Sequence, residues 1–140
     1  MDELVQALDE FRTFLSGKVA EAFEFDPALE YRLSEDWESD KQIPNAEKPG
    51  VYCFIDAGGI VVYVGMSEQK YGGIGREVCS HIGKFKGTDK WWYEPKILKS
   101  AAKLQTIPFD SELSWLAPAL ESYLIKRLDP KGNKAPRCNT

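Results

Sequence analysis

The chain has 140 residues, enough for one domain with a sizeable core, and a formal net charge of −4. Its acidic N-terminus is typical of neither a secretory signal nor a transit peptide, and no apolar run approaches the length of a membrane span. The three cysteines lack a close CxxC spacing, which argues against a disulfide framework and a cysteine zinc site. We therefore expect a soluble, cytoplasmic protein with reduced thiols.

Charge is distributed unevenly along the chain. Residues 1–48 hold 13 acidic against 5 basic residues, a balance of −8, whereas residues 49–140 hold 9 against 13, a balance of +4. We interpret residues 1–48 as an acidic helical extension and residues 49–140 as a separate domain. The basic part permits DNA binding, because its lysines are interspersed with the aromatic residues Trp91, Trp92 and Tyr93. A solvated lysine-rich face beside a core aromatic cluster is the alternative. The lysines concerned are Lys84, Lys86, Lys90, Lys96, Lys99 and Lys103.

The first element in chain order is an amphipathic helix. Apolar residues recur every three or four positions from Leu4 to Val19, which predicts a helix over residues 2–23. Residues 26–49 are polar and interrupted by prolines. We predict irregular structure there, with a short helical turn near residues 27–32.

A β-hairpin is predicted over residues 51–64. Two stretches rich in β-branched and aromatic residues flank Ala57, Gly58 and Gly59, the composition of strand, tight turn and strand. A loop of two or four residues would place Tyr52 and Tyr63 on one face, and a simple three-residue loop would place them on opposite faces. On a shared face the two phenols could act on one substrate. Packing in a core is the alternative role.

The remaining elements complete a small sheet flanked by helices. After a glycine-rich loop at residues 70–73 we predict a helix over 74–82, a loop over 84–90, an extended segment at 91–93 and a helix over 95–103. A third strand at 104–108 and a helix ending near Leu128, before Asp129 and Pro130, follow. We expect an α/β fold with a mainly antiparallel three-stranded sheet and an N-terminal helical extension.

The last predicted helix carries a carboxylate beside its apolar stripe. Leucines recur every four residues from Leu116 to Leu128, and Glu121 lies next to them. Glu121 begins the sequence ESYLIK, and Asn133 follows it by twelve residues. Taken alone, such a glutamate is a solvated flanking residue.

Together with the hairpin, these residues form an ordered set. GVY at 50–52, YVG at 63–65, Arg76, Glu121 and Asn133 occur in the order and at the spacing typical of the GIY-YIG nuclease family, which the chain resembles over residues 49–133. The resemblance implies a metal-dependent endonuclease that hydrolyses DNA phosphodiester bonds.

The resemblance also implies roles for individual residues. Glu121 would bind Mg²⁺, or another divalent cation such as Mn²⁺, together with a phosphate oxygen. Arg76 would stabilise the charge of the transition state, and either Tyr52 or Tyr63 would relay a proton from the attacking water. Asn133 would orient the glutamate or the phosphate, or would only be a turn residue.

Two departures from the family pattern favour a second hypothesis. Met66 and Ser67 follow the second triplet where the family often has a basic residue. The family commonly has His or Tyr four residues after the arginine, whereas His81 follows Arg76 by five, on a different face of a regular helix. His81 is a secondary catalytic candidate. The alternative function is a catalytically lapsed module that binds nucleic acid or a protein partner without cleavage, and the acidic extension could serve a protein partner. The sequence leaves the oligomeric state open.

Overall fold

The computed structural model of the chain describes residues 2–39, 41–68, 73–84, 91–93 and 100–134. Short 3-10 helices lie at Gly17–Glu21, Ser111–Leu116 and Lys131–Lys134. None of the helices in these ranges has the length and apolarity that crossing a bilayer requires. The longer elements are α1 (Glu3–Arg12), β1 (Tyr31–Arg32), α2 (Leu33–Glu38), β2 (Gly50–Asp56), β3 (Val61–Ser67), α3 (Gly73–Cys79), β4 (Ile82–Lys84), β5 (Trp91–Tyr93), β6 (Ala101–Pro108) and α4 (Ala117–Leu128).

The main sheet is antiparallel and has the strand order β1-β6-β2-β3. This confirms the predicted α/β class, with four strands where three were expected. The additional strand, β1, pairs Tyr31 with Leu104 and Arg32 with Lys103 at the β6 edge. The short strands β4 and β5 form a separate antiparallel pair, which confirms the extended segment predicted at residues 91–93.

Helices cover both faces of the main sheet. On one face α1 and α4 pack against the side chains of β2 that alternate from Val51 to Ile55. On the other face α3 packs against Tyr52 and Phe54. Both faces of β2 are therefore buried, and this explains its nearly continuous apolar sequence.

Residues 1–48 contribute to the same cores and sheet as the later residues. Leu4, Leu8 and Phe11 of α1 are buried in the first core, and Tyr31 in the second. The Glu3 carboxylate accepts a hydrogen bond of 3.0 Å from the backbone N–H of Val61 in β3. The acidic segment is therefore packed against the strands that carry the predicted site.

The hairpin reaches its register through a β-bulge. The backbone N–H of Asp56 donates to Ile60 O at 2.9 Å, so the loop between them has three residues, which in a simple hairpin would separate the two tyrosines. The register shifts beyond this loop, from Ile55 opposite Val61 to Phe54 opposite Tyr63. Val62 is the extra residue of this bulge, and its insertion places Tyr52 and Tyr63 on the same face of the sheet. The prediction that the two tyrosines share a face is confirmed. The predicted loop of two or four residues is wrong, because the loop has three residues and the bulge sets the register.

The first helix is shorter than predicted. It begins with Asp2, whose side chain accepts from the Leu4 N–H at 2.8 Å, and ends at Arg12 rather than near residue 23. Gly17 has a φ of +59°, which a continuing helix cannot contain. Val19 therefore lies in a 3-10 turn instead of extending the apolar stripe of α1.

Two other helix predictions are wrong in the described residues. The helical turn expected near 27–32 is reduced to one hydrogen-bonded turn, in which the Leu29 N–H donates to Asp26 O at 3.0 Å, and residues 31–32 form β1. Residues 101–103 of the helix predicted over 95–103 belong to β6 and pair with β2, while residues 95–99 lie outside the described ranges. Ile82–Lys84 likewise forms a strand, because it pairs with β5. In each case, pairing with a distant strand overrides the local preference.

The end of the last helix matches its prediction. Pro118 lies in the first turn of α4, where a backbone N–H would have no acceptor within the helix, so the absence of this group in proline costs no helical hydrogen bond. Asp129 adopts a left-handed conformation with a φ of +51°, and Pro130 follows it. These two residues end the helix at Leu128.

Candidate active site

Tyr52, Tyr63 and His81 form one cluster on the α3 face of the sheet. The Tyr52 hydroxyl lies 3.1 Å from His81 Nε2, within hydrogen-bond distance. The rings of Tyr63 and His81 meet edge to face with centroids 4.9 Å apart, and the two tyrosine rings are 6.3 Å apart. The sheet thus brings together two phenols that the sequence predicts to share a face.

His81 reaches the tyrosines because it lies outside the helix. The α3 helix ends at Cys79, and the backbone N–H of His81 donates to Val78 O at 2.9 Å in the following turn. The helical spacing that separated His81 from Arg76 in the sequence therefore does not apply. His81, a secondary candidate by sequence, lies in the centre of the cluster.

The glycines of both triplets are required by close packing. A Cβ atom at Gly65 would overlap the ring of Tyr52, which lies across it. Gly50 has a φ of +152°, and a Cβ there would overlap the backbone carbonyl of Ile107 in β6. The first glycine therefore allows β2 to approach β6, and the second makes room for the tyrosine.

Phe54 and Gly65 belong to the cluster but were not predicted as site residues. Phe54 contacts the rings of Tyr52, Tyr63 and His81 with centroids 5.8 to 6.2 Å apart. The alternation of side chains along β2 was a signal for Phe54, since it lies two residues after Tyr52. The position of Gly65 opposite Tyr52 depends on the bulge, which the sequence did not indicate.

The cluster is largely shielded from solvent. Tyr52 is 2% exposed, Tyr63 6% and His81 9%. The Tyr52 hydroxyl and His81 Nε2, 3.1 Å apart, are close enough to exchange a proton. Burial raises the pKa of the Cys53 and Cys79 thiols, so neither described cysteine is an activated nucleophile.

Arg76 lies on the exposed side of α3, and that helix packs against β2 and β3. It lines a pocket with residues of α2 and of the segment preceding β2. The guanidinium is therefore accessible to a ligand approaching α3.

Glu121 lies on the other side of the sheet. It is half-buried on α4, which packs against β3 and α1. In the described part of the chain no three His, Cys, Asp or Glu side chains gather as a metal-binding group. A single carboxylate suits Mg²⁺ when substrate phosphate supplies further oxygen ligands. The donor set therefore fits Mg²⁺ only together with substrate.

Asn133 is engaged with the backbone of β3. Its Oδ1 accepts from the Val64 N–H at 2.8 Å, and its Nδ2 donates to the Val64 carbonyl at 2.9 Å. Both polar atoms of the amide thus bind the free edge of β3 in the manner of a further strand. Asn133 was predicted to orient the glutamate or the phosphate, or to be only a turn residue. The two bonds to Val64 give it a different role, which is to bind the backbone of β3.

Five of the six predicted site residues belong to β3 or to elements in contact with it, and His81, in the turn after α3, contacts Tyr63 of β3. The structure brings Tyr52, Tyr63 and His81 into direct contact, whereas Arg76, Glu121 and Asn133 come from three elements that each pack against β3. Strand β3, at the end of the described sheet, is therefore contacted by every candidate residue or by the element that carries it.

The predicted lysine-rich surface is described only in part. Lys103 in β6 is paired with Glu30 at 2.8 Å. Lys86, Lys90, Lys96 and Lys99 lie outside the described residues, as do the side chains of Lys84, Trp91, Trp92 and Tyr93. The DNA-binding role of this surface stays a prediction.

In comparisons with known proteins, no protein-family model and no curated protein matches the chain significantly.

Proposed function

We propose that the chain is a metal-dependent endonuclease of the GIY-YIG type that hydrolyses phosphodiester bonds in DNA. One observation carries the proposal: Tyr52, Tyr63 and His81 pack into a single cluster with a hydroxyl-to-imidazole distance of 3.1 Å. The sequence supports the same proposal, because it contains the two triplets, Arg76, Glu121 and Asn133 in the order typical of that family.

The cluster would move the proton of the attacking water. A free phenol is a poor base at neutral pH, so a tyrosine needs a partner that receives its proton or stabilises its anion. The imidazole of His81 would meet this need for Tyr52, whose hydroxyl lies 3.1 Å from Nε2, and it contacts the ring of Tyr63. Either Tyr52 or Tyr63 would face the water, and the other would stay within the cluster.

Arg76 and Glu121 would act on the phosphate. The guanidinium of Arg76 would stabilise the negative charge that develops on the phosphoryl oxygens in the transition state. Glu121 would hold Mg²⁺, or Mn²⁺, which when bound polarises the phosphorus and stabilises the leaving oxygen. Because the buried residues of α3 and α4 pack on opposite faces of the sheet, a phosphate that contacts both Arg76 and Glu121 would lie near β3, which both helices contact.

Several broader expectations belong to the same proposal. DNA is the expected partner because residues 49–140 carry a balance of +4. A cytoplasmic location agrees with the free thiols of Cys53 and Cys79. A protein partner could bind the acidic residues 1–48.

The decisive experiment is nicking of supercoiled plasmid by the purified chain. We expect nicks in the presence of Mg²⁺ and none in EDTA. Glu121→Gln keeps the volume of the side chain but removes the charge that a hard cation requires, so its rate should fall by a factor on the order of 100 or more.

The matched control is Glu112→Gln, which removes the same charge from an exposed position before α4. Its nicking rate should stay within about twofold of wild type, since exposed substitutions away from a site have small effects. Nicking by Glu121→Gln at the wild-type rate would show that Glu121 is not the metal ligand.

A catalytically lapsed binding module is the second candidate. The near-complete burial of Tyr52 and the presence of Met66 and Ser67 after the second triplet favour it. Under this alternative the wild-type chain binds DNA or a protein but does not nick plasmid with Mg²⁺ or Mn²⁺. Metal-dependent nicking that Glu121→Gln abolishes would exclude the lapsed module.

A further inference from the structure

The histidine of the candidate site packs against three aromatic rings. His81 lies in the turn after α3, and its ring centroid is 6.0 Å from that of Tyr52, 4.9 Å from that of Tyr63 and 5.8 Å from that of Phe54. A side chain in a turn has no regular backbone to restrict its rotamer, so the orientation of its ring depends on what packs against it. These rings therefore help to set the orientation of the imidazole.

Phe54 differs from the two tyrosines because its side chain carries no group that donates or accepts a proton. Its ring meets those of His81 and Tyr52 edge to face, at interplanar angles of 84° and 79°. Aromatic pairs favour this arrangement because the positive edge of one ring meets the negative face of the other. Any contribution of Phe54 to the proposed reaction therefore has to come from packing.

Phe54 is also the least exposed side chain of the cluster. It is 0% exposed, compared with 9% for His81. Its strand, β2, is paired along both edges, and Phe54 lies opposite Tyr63 of β3 on one side and Leu104 of β6 on the other. Because a close-packed interior leaves little room for side chains to shift, the ring of Phe54 is held in place by the sheet. It offers His81 a fixed surface to pack against.

We propose that Phe54 is a positioning residue, which orients the His81 imidazole so that Nε2 stays within hydrogen-bond distance of the Tyr52 hydroxyl. The inference rests on the proposed function, in which this pair moves the proton of the attacking water. Proton transfer needs the two atoms at hydrogen-bond distance, and a displacement of about 1 Å can slow a reaction on the order of 100-fold. Being fully buried, Phe54 acts through His81 rather than on the substrate.

The first test compares Phe54→Leu with Phe109→Leu in plasmid nicking, at a temperature at which both variants are folded. Each substitution removes one buried ring, but Phe109 lies in the core on the other face of the sheet, against Phe23. Both variants should lose stability in urea denaturation, since each leaves a smaller side chain in a core. We expect Phe54→Leu to nick at least about tenfold more slowly than wild type, and Phe109→Leu to stay within about twofold.

A spectroscopic readout separates positioning from a general loss of stability. His81 is the only histidine in the sequence, so its ring signals in long-range proton–nitrogen NMR spectra are unambiguous. The shifts of the two ring nitrogens report which of them carries a proton and which is hydrogen-bonded. Tyr52→Phe, which removes the hydroxyl, provides the spectrum of the ring without this bond. We expect Phe54→Leu to shift the Nε2 signal in the same direction as Tyr52→Phe, and Phe109→Leu to leave it unchanged.

Two provisions keep the test decisive if Phe54→Leu does not fold. Phe54→Met removes the ring but keeps more of its volume, so it is a milder variant with the same expected results. In the wild type, nuclear Overhauser effects should connect the ring protons of His81 with those of Phe54, as their centroid distance of 5.8 Å requires. The absence of these effects would overturn the inference without any variant.

Slower nicking by Phe54→Leu with an unchanged Nε2 signal would overturn the inference, because the effect would then be structural. A shifted signal with wild-type nicking would overturn it as well, and so would equal slowing by Phe109→Leu. If the wild-type chain does not nick plasmid with Mg²⁺, the proposed function fails, while a Phe54-dependent Nε2 signal still supports the orienting of the imidazole. Nicking that does not depend on Phe54 leaves the nuclease standing and rejects the positioning role.

Discussion

Only a hydrogen atom fits at position 65 between β3 and the ring of Tyr52. In Gly65→Ala the added methyl group must displace the ring, and with it the hydroxyl that lies 3.1 Å from His81 Nε2. Overpacking of this kind costs about 1–3 kcal/mol. We expect urea denaturation to show a loss of unfolding free energy of that size. Plasmid nicking should slow at least tenfold, which corresponds to an activation free energy raised by about 1.4 kcal/mol.

Gly58→Ala is the control for this substitution. Gly58 is exposed in the hairpin loop, without a positive φ, and a Cβ there makes only ordinary contact with Asp56. Its stability should stay within about 0.5 kcal/mol of wild type. If Gly65→Ala proved as stable and active as Gly58→Ala, the packing of Tyr52 across β3 would not matter for function.

At the scale of elements, the side chains of Glu3 and Asn133 both bind the backbone of β3, at Val61 and Val64. Asn133 makes two hydrogen bonds to the Val64 backbone, each worth about 0.5–1.5 kcal/mol net. We expect Asn133→Ala to lower the free energy of unfolding by about 1–3 kcal/mol in urea denaturation.

Lys131→Ala, at an exposed position in the same 3-10 helix, should leave the unfolding free energy within about 0.5 kcal/mol. The alternative role for Asn133, orienting the phosphate, gives a different result. In that case Asn133→Ala would retain wild-type stability and lose nicking activity.

Helix α2 is held at its start by the carboxylate of Asp36. The backbone N–H of Arg32 donates to Asp36 Oδ2 at 2.7 Å, and this bond, with the charges of Lys41 and Arg32, lowers the pKa of Asp36 below its ordinary value. A lowered pKa in the folded state contributes stability above the unfolded pKa, and that contribution is lost as pH falls through the folded value.

We therefore expect Asp36→Asn to melt at a lower temperature than wild type at pH 7. The difference should be fully present above about pH 5 and shrink as pH falls below about 4, the ordinary range of an aspartate. Melting curves followed by circular dichroism from pH 7 to pH 3 provide the measurement. A difference that grew toward low pH would contradict the sign of the shift.

At the scale of the whole molecule, the charge imbalance is built into one packed structure. Deletion of residues 1–48 would remove Leu4, Leu8 and Phe11 from the core, so it cannot isolate the effect of their charge. Substitution of exposed acids tests it without disturbing the core. Glu21→Gln with Glu24→Gln removes two negative charges from the acidic segment.

We expect this double variant to bind duplex DNA severalfold more tightly than wild type at about 50 mM salt, with little difference at about 300 mM, because salt screens charges on the surface. Anisotropy titrations at the two salt concentrations measure the effect. Unchanged affinity at low salt would show that the acidic segment does not compete for the DNA-binding surface.

Sequence patterns predicted the parts of the site that depend on local chemistry. Two stretches of β-branched and aromatic residues around Ala57, Gly58 and Gly59 indicated the hairpin and its tyrosines, and the leucine stripe with Asp129 and Pro130 indicated α4 and its end. These features depend on side-chain periodicity and on backbone preferences of single residues. They are therefore visible within a short window of sequence.

Tertiary structure alone decided what the distant residues do. The shared face of Tyr52 and Tyr63 depends on a bulge set by strand pairing, and His81 joins them because the chain leaves α3 after Cys79 to form β4. The pairing of β1 with β6 and the bonds of Asn133 to β3 join residues more than 60 positions apart. Such contacts form because the assembled sheet offers unpaired backbone groups and apolar surface, which no local pattern in the chain specifies.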